Sequence, residues 1–390
     1  MLYSHFSEKI LGLQEAEIKN IEEKEEKIII EIKLPQKECT CPVCGEHTHK
    51  VHDYRLQKVK DISAFGKKVV LMLRKRRYAC SCGKRFAEPN EFLVKYQRMT
   101  QRAVTSMITK LGKVHSYTDV AKEYGVSTST VIRYFKYVNY HKPIKLPEVL
   151  GIDEFKGNSG REKFHVILTD INEKKVIDIL KTRKENDLCR YFKDFDRENV
   201  KYFVSDMYKP YAEIASTYFP NATYVIDKYH WIRQAIWALE AVRKDVQKRF
   251  SKEYRIYFKH SKGLLLKHYD KLDDEKRQQI YAMLGIDPNL SCAYYLKERL
   301  YKILDEPDPN IQKQLLADWI QEAEESEIYS FKKCAQTYRN WFVPISNSFF
   351  CTYTNGFTEG CNNKIKVLKR NAFGFRNFKT FRNRILYMFS

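Results

Sequence analysis

Three carboxylates stand where metal-dependent chemistry would need them. Asp153 closes the apolar run VLGIDEF, Asp206 closes YFVSD, and Glu359 opens FTEGCNNKIKVLKR. Hydrolysis and transfer of a phosphodiester require two divalent metals about 4 Å apart, bridged and held by carboxylates. Two acids at strand ends and one from a helix supply such a cluster without other catalytic groups. A single Asp at a strand end is ordinarily a turn or cap residue, so the expectation rests on the set. With Glu359 at 0° on a helical wheel of ~100° per residue, Asn363, Arg370 and Lys366 fall at about 40°, 20° and 340°. Phe357, Leu368, Cys361 and Ile365 fall at about 160°, 180°, 200° and 240°. The apolar stripe should therefore be buried. The face bearing Glu359 should carry phosphate-holding groups, with Lys364 and Lys369 adding to the positive charge. Glu154 alternates to the opposite face from Asp153 and is read as a non-ligand. Asp227 also ends an apolar run, ATYVID, and competes with Asp206 for the role of second acid.

A second constellation is made of cysteine. Of ten cysteines, five fall between residues 39 and 82. Cys41-Pro-Val-Cys44-Gly and Cys80-Ser-Cys82-Gly read as two turns whose thiolates converge. Four thiolates form the soft tetrahedral set that zinc prefers in structural sites. Cys41, Cys44, Cys80 and Cys82 are the expected ligands of one structural Zn²⁺, with Cys39, His47, His49 and His52 as possible substitutes. A closed site of four ligands leaves no position for catalysis. The run Arg74, Lys75, Arg76 and Arg77 is either a solvated strand edge or a contact to DNA phosphate.

A third is SYTDVAKEYGVSTSTVIRYFKYV, residues 116–138. Val120, Ala121 and Tyr124 would pack a first helix, Gly125 permits a sharp turn, and Val126 plugs the core. Ser127 caps a second helix, buried through Val131, Ile132 and Phe135. Thr128, Ser129, Thr130 and Arg133 then face outward, where a recognition helix meets the major groove.

These motifs need elements to hold them. The chain has 390 residues, with 70 Lys+Arg against 49 Asp+Glu, a net charge of +21, and pI near 9.3. That balance fits a nucleic-acid partner. A hydrophobic fraction of 43% excludes global disorder. No apolar run reaches the roughly 18 residues of a membrane span, and the first 20 residues do not read as a signal peptide. No membrane partner is expected, and the cytoplasm is the expected location.

Changes of pattern divide the chain. Residues 1–38 hold a charged segment and the strand KIIIEIKLP. Residues 39–90 hold the cysteines and two β-rich stretches, KVKDI and KKVVLMLRKRRYAC. Residues 95–140 read as helices, followed by a linker with Pro143 and Pro147. From 149 three short strands form a meander, then helix, strand, helix and strand follow, a mixed α/β layer. Residues 231–350 read as all-α, with Ile232, Ile236, Leu239, Val242, Val246 and Phe250 at helical spacing. The last segment is basic and helical in two pieces separated by NAFGF.

The order of these motifs, with IDEFKG, VSDM, DKYH and TNGFTEGCNNKIKVLKRNAFGFRNF, resembles the bacterial insertion-sequence transposases of the ISL-three type across nearly the whole chain. The resemblance implies a multidomain α/β protein. Its parts are an N-terminal zinc ribbon, a helix-turn-helix domain and a DDE catalytic domain of ribonuclease H-like fold, residues 149–390, interrupted by an all-α insertion at about 231–350. It implies Asp153, Asp206 and Glu359 as first, second and third acids, holding two Mg²⁺ or Mn²⁺. The 153 residues from Asp206 to Glu359 fit such an insertion. Asp227-Lys-Tyr-His230 is similar to the (C/D)-x-x-H motif of related superfamilies. Asp206 is preferred as second acid, because it ends the strand that follows the meander and a helix; Asp227 and His230 are read as support or as a grip on flanking DNA. The implied partners are double-stranded DNA, as terminal inverted repeats and target, and further copies of the chain on that DNA. The implied setting is bacterial and nucleoid-associated. The competing reading is a DNA-binding regulator whose α/β domain is inactive.

Overall fold

Alternation of apolar and polar residues builds the first sheet. The strands are β1 (Glu17–Glu23), β2 (Lys27–Lys33), β3 (Cys39–Thr40), β4 (His47–Thr48), β5 (Val51–Lys60), β6 (Lys68–Ala79) and β7 (Arg85–Ala87). In β2 and β6 every second side chain, Ile30, Ile32, Val69, Leu71 and Leu73, is buried, as one buried sheet face requires. The order is β1-β2-β6-β5, with β7 on β6 and β3-β4 as a separate hairpin. Because β2 pairs in parallel with β6, the described part of the 1–38 segment shares a sheet with strands of 39–90. That pairing also makes β6 a central strand. The β2 pairing reaches only Leu73, so the Arg74–Arg77 run lies past it, paired along one side with β5 and met by β7 at Arg77. Arg76 is buried against Glu88 at 2.9 Å, Arg77 pairs with Asp53 at 3.0 Å, and Arg74 lies over the Tyr54 ring.

This computed structural model describes residues 16–94 and 97–390. The reading of the N-terminus as no signal peptide, and the first two residues of the 95–140 segment, fall outside the described residues. Clustering of contacts gives two units, one of residues up to Tyr140 with Lys364–Ser390, the other His141–Asn363.

The first unit continues with α1 (Gln101–Lys110), α2 (Tyr117–Glu123) and α3 (Thr128–Phe135). They share a core of Met107, Leu111, Val120, Ala121, Val131 and Phe135. Tyr134 is buried, whereas Ile132, expected inside, is only half-buried.

In the second unit β8 (Val149–Ser159), β9 (Glu162–Asp170) and β10 (Lys175–Leu180) form the expected meander. Then come α4 (Glu185–Phe192), β11 (Tyr202–Ser205), α5 (Lys209–Tyr218) and β12 (Thr223–Ile226). The sheet order is β10-β9-β8-β11-β12, antiparallel through the meander and parallel from β8 to β12. Leu150, Ile152, Leu168 and Phe203 bury one face against Leu188, Phe192 and Ile214 of α4 and α5. Val149, Val204 and Val225 line the other. Gly151 is required here, since a Cβ would lie 2.4 Å from Thr169 Oγ1.

From α6 (Lys228–Lys248) to α13 (Phe342–Asn347) the elements are helical. Their core includes Trp231, Leu239, Leu300, Trp319, Phe331 and Tyr338. Tyr338 Oη donates to the Trp231 carbonyl at 2.6 Å, and Trp319 Nε1 donates to that of Leu296 at 2.7 Å. On α6 Leu239, Val242 and Val246 are buried as the spacing predicts, while Ile232 and Ile236 are half-buried and Trp231, Ala235 and Ala238 are buried beside them.

The last helices are α14 (Gly356–Asn371) and α15 (Phe378–Phe389). The sequence reading assigned residues 149–390 to one domain. Within that span, residues 364–390 pack with the first unit. Arg384, 1% exposed, donates to the carbonyls of Lys113 and His115 at 2.7 and 2.9 Å. Asn383 donates to that of Val138 at 3.1 Å, and Tyr387 packs on the α1–α3 core.

Candidate functional site

The cysteine site forms where two similar turns meet. In the first, Gly45 N–H donates to the Cys41 carbonyl at 3.0 Å; in the second, Gly83 N–H donates to that of Cys80 at 3.0 Å. Both glycines have positive φ, +76° and +84°, which glycine adopts at no steric cost. The four Sγ atoms of Cys41, Cys44, Cys80 and Cys82 lie within 4.8 Å of one another. Cys41–Cys82 is 3.7 Å and Cys44–Cys80 3.4 Å. A zinc ion with Zn–S of about 2.3 Å separates its thiolates by about 3.8 Å, so the site fits structural zinc. The backbone N–H of Cys44 lowers the Cys41 thiol to about 6. The alternatives are placed elsewhere: Cys39 is buried beside the Lys37 carbonyl, while His47 and His49 lie beside Glu38. His52 is not among the clustered ligands.

The helix-turn-helix forms for local reasons. Ser116 and Asp119 make a capping box for α2, a reciprocal pair that satisfies two orphan N–H groups. Gly125 takes φ +59°, Val126 N–H donates to the Ala121 carbonyl, and Ser127 caps α3 through Thr130 N–H. Ser129 and Arg133 are exposed, Thr128 and Thr130 half-exposed. Ser127 and Thr130 hydroxyls pair at 2.9 Å, and the Arg133 guanidinium lies over the Tyr134 ring. Lys60, Arg98, Ser127, Thr130, Arg133 and Tyr137 line a groove of about 690 Å³ beside α3.

Asp153 and Asp206 lie on neighbouring strands of the second sheet; β8 does not end at Asp153 as expected but continues to Ser159, so Asp153 is mid-strand while Asp206 follows β11. Strand β11 pairs with β8 through Val204↔Gly151, so Asp206 and Asp153 each lie two residues beyond that pair. Asp153 Oδ2 accepts from Asn362 Nδ2 of α14 at 2.9 Å, and Oδ1 accepts from Glu154 N–H at 2.7 Å. Burial pushes Asp153 up to about 6 against these two hydrogen bonds, and the charges of Glu154 and Glu359 add to the rise. Burial also pushes Asp206 up to about 7, reinforced by Asp153 and Glu154 and opposed by Arg183. Asp206 Oδ1 is buried with no hydrogen-bond partner among the described residues. Glu359 lies exposed in the first turn of α14. The three carboxylates do not all come within 4.8 Å of one another; among the described residues only the four cysteines converge so closely. The Glu154 side chain pairs with Arg183 at 2.5 Å, while its carbonyl accepts from Asn362 Nδ2 at 3.4 Å.

Asp227 is clasped. Its Oδ1 accepts from Tyr229 N–H at 2.9 Å and its Oδ2 from Asn355 N–H at 2.6 Å. Asn355 Nδ2 in turn donates to the Ile152 carbonyl at 3.1 Å. Asp227 thus ties the start of α6 to the segment that enters α14. Burial pushes His230 down, and the charge of Asp227 opposes that fall.

The wheel for α14 holds: Cys361, Ile365 and Leu368 are buried, while Glu359, Asn363, Lys366 and Arg370 are exposed. Lys369 is half-exposed. It overlooked a buried polar stripe of Asn355, Thr358 and Asn362. Thr358 bonds Thr169 at 2.7 Å, and Asn362 holds Asp153. The signal was present as polar residues spaced by three and four along the border of the apolar face.

The raised Asp206 carboxyl has a consequence for stability. Its pKa is above the ordinary 3.8, so the fold favours the protonated form. That stabilisation is complete below about 3.8 and is lost as pH rises through about 7. In magnesium-free buffer, Asp206→Asn should melt above wild type at pH 8 by at least ~2 °C, and the two should converge by pH 4. A variant that melts below wild type at pH 8 would contradict this electrostatic account.

Three family profiles match the chain in order. They are the zinc finger of transposases IS204/IS1001/IS1096/IS1165 over residues 37–82, the helix-turn-helix domain of transposase family ISL3 over 88–139, and the ISL3 transposase domain over 150–385. The transposase for insertion sequence element IS1001 of Bordetella parapertussis is 26% identical, covering 90% of this chain and 89% of its own. The transposase for insertion sequence element IS1557 of Mycobacterium tuberculosis is 25% identical over 43% of this chain and 42% of its own. Among the described residues, no helix is long and apolar enough to cross a membrane. Zinc turns, a helix-turn-helix and a transposase domain over more than half the length agree: the chain belongs to the ISL3 family of transposases.

Proposed function

We propose that this transposase binds the terminal inverted repeats of an insertion sequence and cuts and rejoins DNA there, with Asp153, Asp206 and Glu359 as its catalytic acids. The observation that carries the reading is the pair of buried carboxylates on neighbouring strands, Asp153 within β8 and Asp206 just past β11, both raised by burial and nearby acids, with α14 bonded to Asp153. An all-oxygen, anionic donor set with an unpartnered buried Oδ1 suits Mg²⁺ or Mn²⁺. Two such ions, when bound, would activate the attacking oxygen and stabilise the leaving one. Asn362 and the Glu154 N–H orient Asp153. Asp227 and His230 support the site by fixing the approach to α14. The reaction class is in-line attack on a phosphodiester, first by water at the element's end and then by the freed 3′-hydroxyl on target DNA.

Strand order β10-β9-β8-β11-β12 supports a ribonuclease H-like domain, and the helices after β12 support an all-α insertion at about 231–350. Thr128, Ser129, Thr130 and Arg133 are the proposed readers of sequence. Asn363, Lys366, Lys369 and Arg370 are proposed phosphate contacts. Homo-oligomerisation on DNA follows from the need to cut two ends of one element.

The test is metal-dependent nicking of DNA carrying the element's terminal repeats. Arg133→Ala and Thr130→Ala should weaken binding to that DNA more than to random DNA, because base contacts specify while phosphate contacts only position. Each lost base contact should cost roughly 1–3 kcal/mol of discrimination. Equal losses on both DNAs would remove α3 as the reader.

A further inference from the structure

The turn between α14 and α15 presents a phenyl ring to solvent. Phe373 is 99% exposed, at φ +52° and followed by Gly374 at φ +94°. It occupies the position just past a helix end that normally takes glycine or asparagine. A bulky side chain there is uncommon and strained. The same three residues recur in the hairpin turn between β5 and β6. Ala64-Phe65-Gly66 exposes Phe65 at 91%, with φ +53° and then +75°. Two successive residues at positive φ make a turn for which Asn-Gly is the usual choice. At both turns, then, phenylalanine stands where the backbone disfavours it and no core receives it.

Each turn is held firmly and lies beside the helix-turn-helix. Asn371 Nδ2 donates to the Val114 carbonyl at 3.0 Å. Phe375 stacks on Phe381 with centroids 4.5 Å apart and meets Tyr117 of α2. Phe373 and Thr128, the first residue of α3, line one hollow. On the other side, Lys60 and Lys68, which flank the Phe65 turn, reach Gly125 between α2 and α3. The charge suits a polyanion: residues 360–390 contain four lysines, four arginines and no acid. Arg370, Arg376 and Lys379 are exposed around the Phe373 turn. A rigid apolar tip among cations is how proteins wedge a base step of duplex DNA while neighbouring cations hold its phosphates.

We propose that Phe373 and Phe65 are DNA wedges, each inserting its ring at a base step flanking the footprint of α3. This rests on the reading that the first unit binds DNA. Asparagine relieves the backbone strain, so Phe373→Asn and Phe65→Asn should fold at least as stably as wild type. Both should nonetheless lose duplex affinity by roughly 5- to 150-fold, the range of one aromatic–base stack. Duplexes with 2-aminopurine at successive steps should brighten when the full-length wild type unstacks them. Each Asn variant should abolish the signal at one step, and Phe373→Tyr should keep it. Arg370→Gln should lower the salt slope by about one without moving the signal. Each residue's assignment stands or falls on its own Asn variant: unchanged affinity and unchanged brightening would overturn it. The same measurement on random duplex separates the two readings. Wild type that brightens random duplex but does not prefer terminal repeats refutes the repeat-binding reading and keeps the wedges. Wild type that prefers repeats, with Asn variants equal to it, refutes only the wedges. Wild type that binds no DNA overturns both.

Discussion

Asp153→Asn, Asp206→Asn and Glu359→Gln should each leave DNA binding intact and lower strand cleavage by orders of magnitude. The substitutions keep shape and remove one negative charge from a donor set that must hold divalent cations. The folded protein already resists charge at two of these positions, since burial and neighbouring acids hold Asp153 and Asp206 above the carboxylate range. Neutralising either removes a repulsion, so the variants should remain folded and the loss should be confined to chemistry. Asp227→Asn should behave differently. Both oxygens of Asp227 accept backbone N–H groups, so an amide would set a donor against a donor, tilting the entry to α14. A cost of about 10- to 100-fold, typical of a residue that orients ligands, is expected, with some loss of stability. Single-turnover cleavage of end-labelled terminal-repeat DNA, run beside a binding assay, reads both quantities. If Asp227→Asn abolishes cleavage while Asp206→Asn retains it, the two residues exchange roles.

Removal of zinc should unfold the cysteine turns and destabilise residues 39–90. Purified protein should contain about one zinc per chain. Cys41→Ser and Cys80→Ser should lose it, whereas Cys39→Ser and His47→Ala should retain it, because only the four clustered Sγ atoms can share an ion. Structural zinc contributes on the order of 10 kcal/mol in small zinc modules, more than the two short turns and the β3–β4 hairpin can replace. Hydrogen exchange should show protection lost across Cys41–Gly45 and Cys80–Gly83 first. The buried strands β2 and β6 should be affected less, since Ile30, Ile32, Leu71 and Leu73 pack without the metal. Full zinc retention in both serine variants would refute the ligand assignment.

Much of this protein was legible one segment at a time. Cysteine spacing, the Gly125 turn with its Ser116 and Ser127 caps, the meander from Val149 and the wheel of α14 are local properties. Each depends on backbone preference and on which face of one element is apolar, and neighbours in sequence decide both. Asp206 follows the end of β11 and Glu359 lies in the first turn of α14, as read, but Asp153 sits in the middle of β8 because the strand continues to Ser159.

What no local pattern contained is pairing at a distance. That β2 joins β6, putting the N-terminal strands in one sheet with the strand that leads to Cys80, depends on register between strands about 40 residues apart. That Asn362 holds Asp153, and that Asn355 clasps Asp227, depends on α14 reaching elements more than 100 residues earlier. Single-sequence periodicity marks such polar residues only as interruptions of an apolar face. The packing of residues 364–390 with the first unit likewise shows only in the fold, where Arg384 lies in a segment that the sequence marks simply as basic. Its burial among carbonyls of Lys113 and His115 shows instead that it closes the helix-turn-helix. A cation reads the same in sequence whether it meets phosphate or orphan carbonyls. Only the tertiary structure distinguishes them, because the choice depends on which acceptors the fold leaves unpaired beside it.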